Sequence, residues 1–277
     1  MHAIENAKII RNYFRESSKK SIEMIKFTEI IFFHQRSYNL QIKLNIINSK
    51  GDKKCQKCPT LWKKKLKHQN FKEHTCDKDK ADEYMEQRSY EEDEQYEIPK
   101  LKYHTKVKSK EMFGCQMIIF NESLNTDKII LYLHGGAYVS EINKMHITFC
   151  DKIAKKTNST VFAPIYPLAP NHTYDETYKI VENLYNLILK FNQPVTIIGD
   201  SAGEGLSASF CEYLTANEIT QPKHLILISP WVDVSMSGDY EDYIDLDPML
   251  GVDGLREMGE NWAGNLDTKD YKVSPLF

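Results

Sequence analysis

The sequence predicts an α/β fold built on a mainly parallel sheet with helices packed on its faces. Short β-branched runs at 129–133, 161–164, 195–198 and 225–228 recur with room for a helix between them. The stretches between carry apolar residues at helical spacing, as in Tyr178, Val181, Tyr185 and Ile188, or Leu206, Phe210 and Leu214. The runs are apolar almost throughout, as strands covered on both faces must be.

Residues 1 to about 50 mix apolar and basic side chains with no Gly or Pro, and a helix is expected there. Ile22, Ile25 and residues 28–32 would form its apolar face. Residues 51–97 are Lys-rich and then acidic, and read as an exposed, poorly ordered connector. The expected organisation is therefore a helical, charged and partly disordered extension over 1–97 and one α/β domain over 98–277. Within that domain, alternation of Leu101, Tyr103, Thr105 and Val107 with polar residues predicts a strand over 101–107. A second strand is expected over 112–120, the two forming a hairpin. A helix is expected over 142–155. Thr173-x-x-Glu176 has the spacing of a capping box opening the helix that carries Tyr178.

The formal net charge of -3 gives no electrostatic case for nucleic acid as the main partner, and none is expected. Lys8, Arg11, Arg15, Lys19 and Lys20 interrupt any apolar run at the start, so neither a signal peptide nor a transmembrane segment is expected. The 6 cysteines, at 55, 58, 76, 115, 150 and 211, form no disulfide framework. A reducing, cytoplasmic setting is the expectation. Cys55-x-x-Cys58 with His68, His74 and Cys76 could supply zinc ligands. Their irregular spacing and Lys-rich surroundings favour solvated side chains instead, and no metal or other cofactor is expected.

Gly199-Asp200-Ser201-Ala202-Gly203 follows an apolar run and precedes an amphipathic one. That context makes it a nucleophile elbow, a turn so tight that flanking side chains would collide with backbone. Ser201 would sit at a helix N-terminus, where the dipole favours developing negative charge. His134-Gly135-Gly136-Ala137 follows another apolar run. Glycine amides there, with the N–H of Ala202, would donate to an oxyanion. The candidate site is Ser201 as nucleophile and Gly135, Gly136 and Ala202 as oxyanion donors, with His134, Gly199, Asp200 and Gly203 supporting the motifs.

These motifs, with Tyr166-Pro167-Leu168-Ala169-Pro170, Ser229-Pro230-Trp231-Val232-Asp233, Asp247-Pro248-Met249-Leu250 and Ser274-Pro275-Leu276, resemble the hormone-sensitive-lipase-like branch of the α/β-hydrolases. The resemblance covers about 98–277. It implies an α/β-hydrolase fold and cofactor-free cleavage of acyl esters. Two departures stand out. Glu204 replaces a glycine usual in the family, and a carboxylate there would place negative charge near the oxyanion. In the family the catalytic acid and histidine follow a landmark like 274–276, whereas this sequence ends at Phe277. The resemblance thus implies a fold whose last two strands are missing, weak or no ester turnover, and an unpaired edge at 225–228 unless 1–50 covers it. Of the remaining candidates for a base, His224 begins a strand at the wrong end, and His172 lies in a structural loop. Asp247 sits in a non-catalytic landmark. Two other functions fit the sequence: a catalytically inactive small-molecule-binding protein on the same fold, and an interaction protein acting through 1–97.

Overall fold

The computed structural model describes residues 71–91, 95–123, 125–240, 244, 247 and 249–277, and the backbone of 30–36 and 39–44. In chain order the elements are β1 (Ile30–Arg36), β2 (Asn39–Leu44), α1 (Phe71–Thr75), α2 (Lys78–Glu91), β3 (Val107–Met112), β4 (Cys115–Phe120), β5 (Lys128–Leu133), α3 (Lys144–Thr157), β6 (Ser159–Ile165), α4 (Tyr174–Leu189), β7 (Val195–Asp200), α5 (Ala202–Ala216), β8 (His224–Ile228) and α6 (Val252–Ala263).

The described strands form an 8-stranded sheet in the order β2-β1-β8-β7-β5-β6-β4-β3. Its centre, β6-β5-β7-β8, is parallel. Antiparallel pairs flank it, β4 and β3 on one side and β1 and β2 on the other. Each central strand is covered twice. Ile129, Leu131 and Leu133 of β5 pack with Val181, Leu184 and Tyr185 of α4 and Leu206 and Phe210 of α5. The alternate residues, Ile130 and Tyr132, pack with Ile147, Cys150 and Ala154 of α3. This two-sided burial is why the runs show no alternation, and each large side chain so buried contributes roughly 1.5–3 kcal/mol.

Four expectations are corrected. The hairpin strands run over Val107–Met112 and Cys115–Phe120 rather than over 101–107 and 112–120. The Asp151 carboxylate on α3 takes the His104 N–H, the Thr105 N–H and the Thr105 hydroxyl, so this backbone is drawn out of the ladder. Leu101 and Tyr103 are still half-buried, against the α3 side of the sheet. The hairpin then turns at Phe113 and Gly114, both at positive φ, with Met112 paired to Cys115.

Thr173 stands at the N-cap of α4 but makes no capping bond; its hydroxyl goes to Asp175. Glu176 instead meets the His172 ring at 2.8 Å. A reciprocal capping box does form at α3, between Asn143 and His146.

The helix expected over 1–50 is replaced, at 30–36 and 39–44, by strands. Ile30-Ile31-Phe32-Phe33 is β-branched and aromatic, and β8 offers its backbone a partner. The edge of β8 is therefore paired.

The connector expected over 51–97 contains, at 71–91, two docked helices. Thr75, Ala81 and Met85 are buried. The Gly251 N–H donates to Thr75 Oγ1 at 2.9 Å, and Lys78 pairs with Glu257 on α6. From its middle α2 reaches the loop after β5, where the Tyr84 and Ser140 hydroxyls are 2.9 Å apart. No helix among the described residues is long and apolar enough to cross a membrane.

Candidate active site

β7 ends at Asp200 and α5 begins at Ala202, so Ser201 alone makes the turn. Its φ of 51° and ψ of -118° are strained for a residue with a Cβ. The surrounding backbone holds it there. The Ser201 N–H donates to Ile228 O, and its carbonyl accepts from Glu204, Gly205 and Trp231 N–H groups. The Ser201 hydroxyl has no hydrogen-bond partner among the described residues. The flanking glycines are sterically required. A Cβ on Gly199 would lie 2.3 Å from Gly203 O, and one on Gly203 would lie 2.1 Å from Leu133 O.

The glycine loop leaves the end of β5 and lies against this turn. A Cβ on Gly135 would fall 2.6 Å from Asp200 Oδ2 and 3.1 Å from Ser201 Cβ. Gly136 has φ 133°, open only to glycine, and its carbonyl accepts from Val139 and Ser140 N–H. The Gly135 N–H donates to Asp200 Oδ1 at 3.1 Å. Of the three backbone donors expected from sequence, Gly135 is thus already engaged. The N–H groups of Gly136 and Ala202 have no partner among the described residues. Beyond the loop, Tyr138 stacks on Trp262 with ring centroids 4.2 Å apart.

Asp200 is the junction. Oδ1 accepts from the Tyr132 hydroxyl and the Gly135 N–H, and Oδ2 lies 3.2 Å from His146 Nε2. Burial alone would raise its carboxyl, but His146 and Tyr132 outweigh burial and hold it below the usual carboxylate range. His146 and Tyr132 were not singled out in the sequence. No motif links a histidine on α3 to an aspartate 54 positions later; only the fold brings them together.

His134 is fully buried, stacked on Tyr166 at 4.2 Å, with Nδ1 on Gly135 O at 2.8 Å. Burial first, and the neighbouring His146 second, push its imidazole down to about 4. It is a neutral packing group. Glu204, expected to carry charge beside the oxyanion, is also buried; its carboxyl meets the Ser201 backbone without a well-formed hydrogen bond, and no side chain partners it among the described residues. Burial, then the Asp200 charge, push its carboxyl well above the usual range, so it holds its proton where ordinary glutamates lose it.

The remaining candidates lie elsewhere. His224 pairs with Thr196, four rungs before the Asp200–Ile228 rung, about 13 Å along the strand. His172 faces Glu176. Asp247 Oδ1 accepts from the Met249 and Leu250 N–H groups. His74 stacks on Tyr84, and the Cys76 thiol meets Asp77. Cys55, Cys58 and His68 lie outside the described residues.

A parallel sheet with a one-residue strand-to-helix turn, and a glycine loop packed against it, defines the α/β-hydrolase architecture. Residues 130–277 match the family model of the alpha/beta hydrolase fold, and the chain belongs to that family. It is 28% identical over 155 residues to an esterase of Acinetobacter venetianus, covering 54% of this chain and 51% of that protein. It is 28% identical over 169 residues to a triacylglycerol lipase of Mycobacterium tuberculosis, covering 59% and 34%. The chain thus spans about half, or less, of the length of these curated relatives. Among solved structures, a protein of Staphylococcus aureus given provisionally as an esterase superposes with TM-score 0.67 at 29% identity, covering 71% of this chain and 68% of that one. A hormone-sensitive lipase from a metagenome library superposes with TM-score 0.61 at 23% identity, covering 78% and 72%, a likeness of fold.

Proposed function

We propose that this chain carries the nucleophile and oxyanion half of a serine carboxylic-ester hydrolase. In this reading the Ser201 Oγ bonds to the acyl carbon of a small-molecule ester as its proton passes to solvent; the carbonyl pair moves onto oxygen, that oxyanion is received by the Gly136 and Ala202 N–H groups, and its collapse breaks the ester C–O bond and releases the alcohol. Gly135 belongs to the site by letting the loop approach Ser201, its own N–H being committed to Asp200. The observation that carries the reading is the strained Ser201 backbone held within van der Waals reach of the glycine loop. Strain of this kind persists only where surrounding structure enforces it, and it aims a hydroxyl out of the turn. Relatives bearing the names esterase, triacylglycerol lipase and acetyl-hydrolase support an ester as substrate.

The test is covalent labelling by a fluorophosphonate, with hydrolysis of p-nitrophenyl acetate alongside. Labelling of Ser201 in the wild type and its loss in Ser201→Ala support the reading. Turnover that survives Ser201→Ala places the chemistry elsewhere.

One observation favours a second reading, a catalytically inactive small-molecule-binding protein. No histidine bonds the Ser201 hydroxyl among the described residues, and a serine without a base is a poor nucleophile. Ligand binding without labelling would select it.

A further inference from the structure

We propose that His146 is a positioning residue for the oxyanion loop, acting through Asp200. Its Nδ1 lies 3.0 Å from the Asn143 backbone nitrogen, which can only donate, so Nδ1 must accept. With Nδ1 accepting, the ring proton sits on Nε2, which faces Asp200 Oδ2 at 3.2 Å. One imidazole thereby ties the first turn of α3 to the carboxylate that precedes Ser201.

The other oxygen of that carboxylate takes the Gly135 N–H. Gly135 also touches Asp200 and Ser201 so closely that no side chain fits. The orientation of the Asp200 carboxylate therefore holds the peptide entering Gly135, the point from which the loop that presents the Gly136 N–H departs. Tyr132 supports Oδ1 from the strand below. Three donors converge on Asp200, and His146 is the one that holds Oδ2. Its side chain is nearly buried, 11% exposed, so water competes poorly for this contact.

The proposal rests on the ester-hydrolase reading only for its catalytic consequence, and the test separates the two. Glu at the third helical position completes a capping box, so His146→Glu keeps the acceptor for Asn143 but has no donor for Asp200. His146→Gln keeps the acceptor and restores an N–H donor. Amide hydrogen exchange at Gly135, read by NMR on the full chain, is the primary measurement. Exchange at Gly135 is expected to quicken about five- to tenfold in His146→Glu, the factor one net hydrogen bond sets, with Gln in between. The amides of α3 should be unchanged. Equal Gly135 exchange in wild type and His146→Glu overturns the proposal. Should His146→Glu fail to fold, the imidazole 15N shifts of the wild type decide. A protonated Nε2 with a bare Nδ1 supports it, and any other state overturns it. In parallel, kcat for p-nitrophenyl acetate should fall about tenfold in His146→Glu at unchanged KM, less than outright loss of an oxyanion donor. Altered Gly135 exchange in a chain whose wild type shows no turnover supports the role of His146 and counts against ester hydrolysis alone.

Discussion

Gly203 in the first turn of α5 faces the Leu133 carbonyl so closely that a Cβ would lie 2.1 Å from its oxygen, and 2.5 Å from that of His134. The elbow helix and the end of β5 therefore meet backbone to backbone, which binds the glycine loop and Ser201 into one unit. Neither neighbour is a flexible side chain that can swing aside. Gly203→Ala is expected to cost about 2–4 kcal/mol by overpacking and to displace the loop. Gly114 has positive φ but nothing within 4 Å of its would-be Cβ, so Gly114→Ala should cost only about 1 kcal/mol. Urea denaturation of both variants checks the contrast. Equal losses would show that close approach at 203 is not what the glycine serves.

Glu204 and Asp200 should give opposite pH dependences. The folded protein raises the Glu204 carboxyl, so the native state holds a proton that the unfolded state releases above about 4.3. Its contribution to stability is complete below that pH and is lost as pH rises toward the folded value, at most about 1.4 kcal/mol per unit. Glu204→Gln should thus gain stability relative to wild type as pH rises from 5 to 8. Asp200 is lowered, mainly by His146 acting against burial. Its contribution is present above about 3.9 and lost as pH falls below it, so Asp200→Asn should be most harmful near neutrality. Denaturation midpoints across pH 4 to 8 read both signs. A Glu204→Gln difference that is flat with pH would mean that the carboxyl is ionised in the fold.

The central sheet and the elbow were legible in the sequence for a physical reason. Strands buried on both faces leave unbroken apolar runs, and an elbow has no choice but glycine at 199 and 203. The junction at Asp200 was not legible, because its partners Tyr132, Gly135 and His146 come from β5, the loop after it and α3, and obey no local period. Residues 101–106 misled because their alternation is real, but Asp151 captures the backbone that a strand would have used. Glu204 misled because a carboxylate in the first helical turn is ordinarily charged, whereas burial governs its proton here.

The helices α1 and α2 dock through small residues, and this can be tested separately from the core. A Cβ on Gly254 would lie 2.5 Å from Thr75 Cα, and one on Gly251 2.1 Å from Thr75 O. Gly254→Val should therefore lift α1 and α2 from α6 while leaving the sheet intact. Limited proteolysis should then cut within 71–91, where the wild type resists. Unchanged protection would mean that α6 shifts to accept the side chain.

β1 covers the edge of β8. Five residue pairs, from Ile30↔Ile228 to His34↔His224, join it antiparallel to β1, and β2 covers β1 in turn. β1 is thus an interior strand, and its backbone is claimed on both sides. Proline removes an N–H and is tolerated in sheets only at edges or bulges. Phe32→Pro should therefore break the ladder at its middle rung, where Phe32 faces Ile226. Each lost ladder bond removes about 1 kcal/mol, and the freed edge of β8 becomes a template for another chain. Deletion of residues 1–44 should have the same effect in stronger form. Size-exclusion chromatography and thermal unfolding are the measurements. Both variants should shift toward large assemblies, and a substitution at exposed Lys152 on α3, outside the sheet, should not. If both variants remain monomeric with an unchanged midpoint, β1 is not what protects β8, and the pairing of the two strands contributes nothing measurable to the fold.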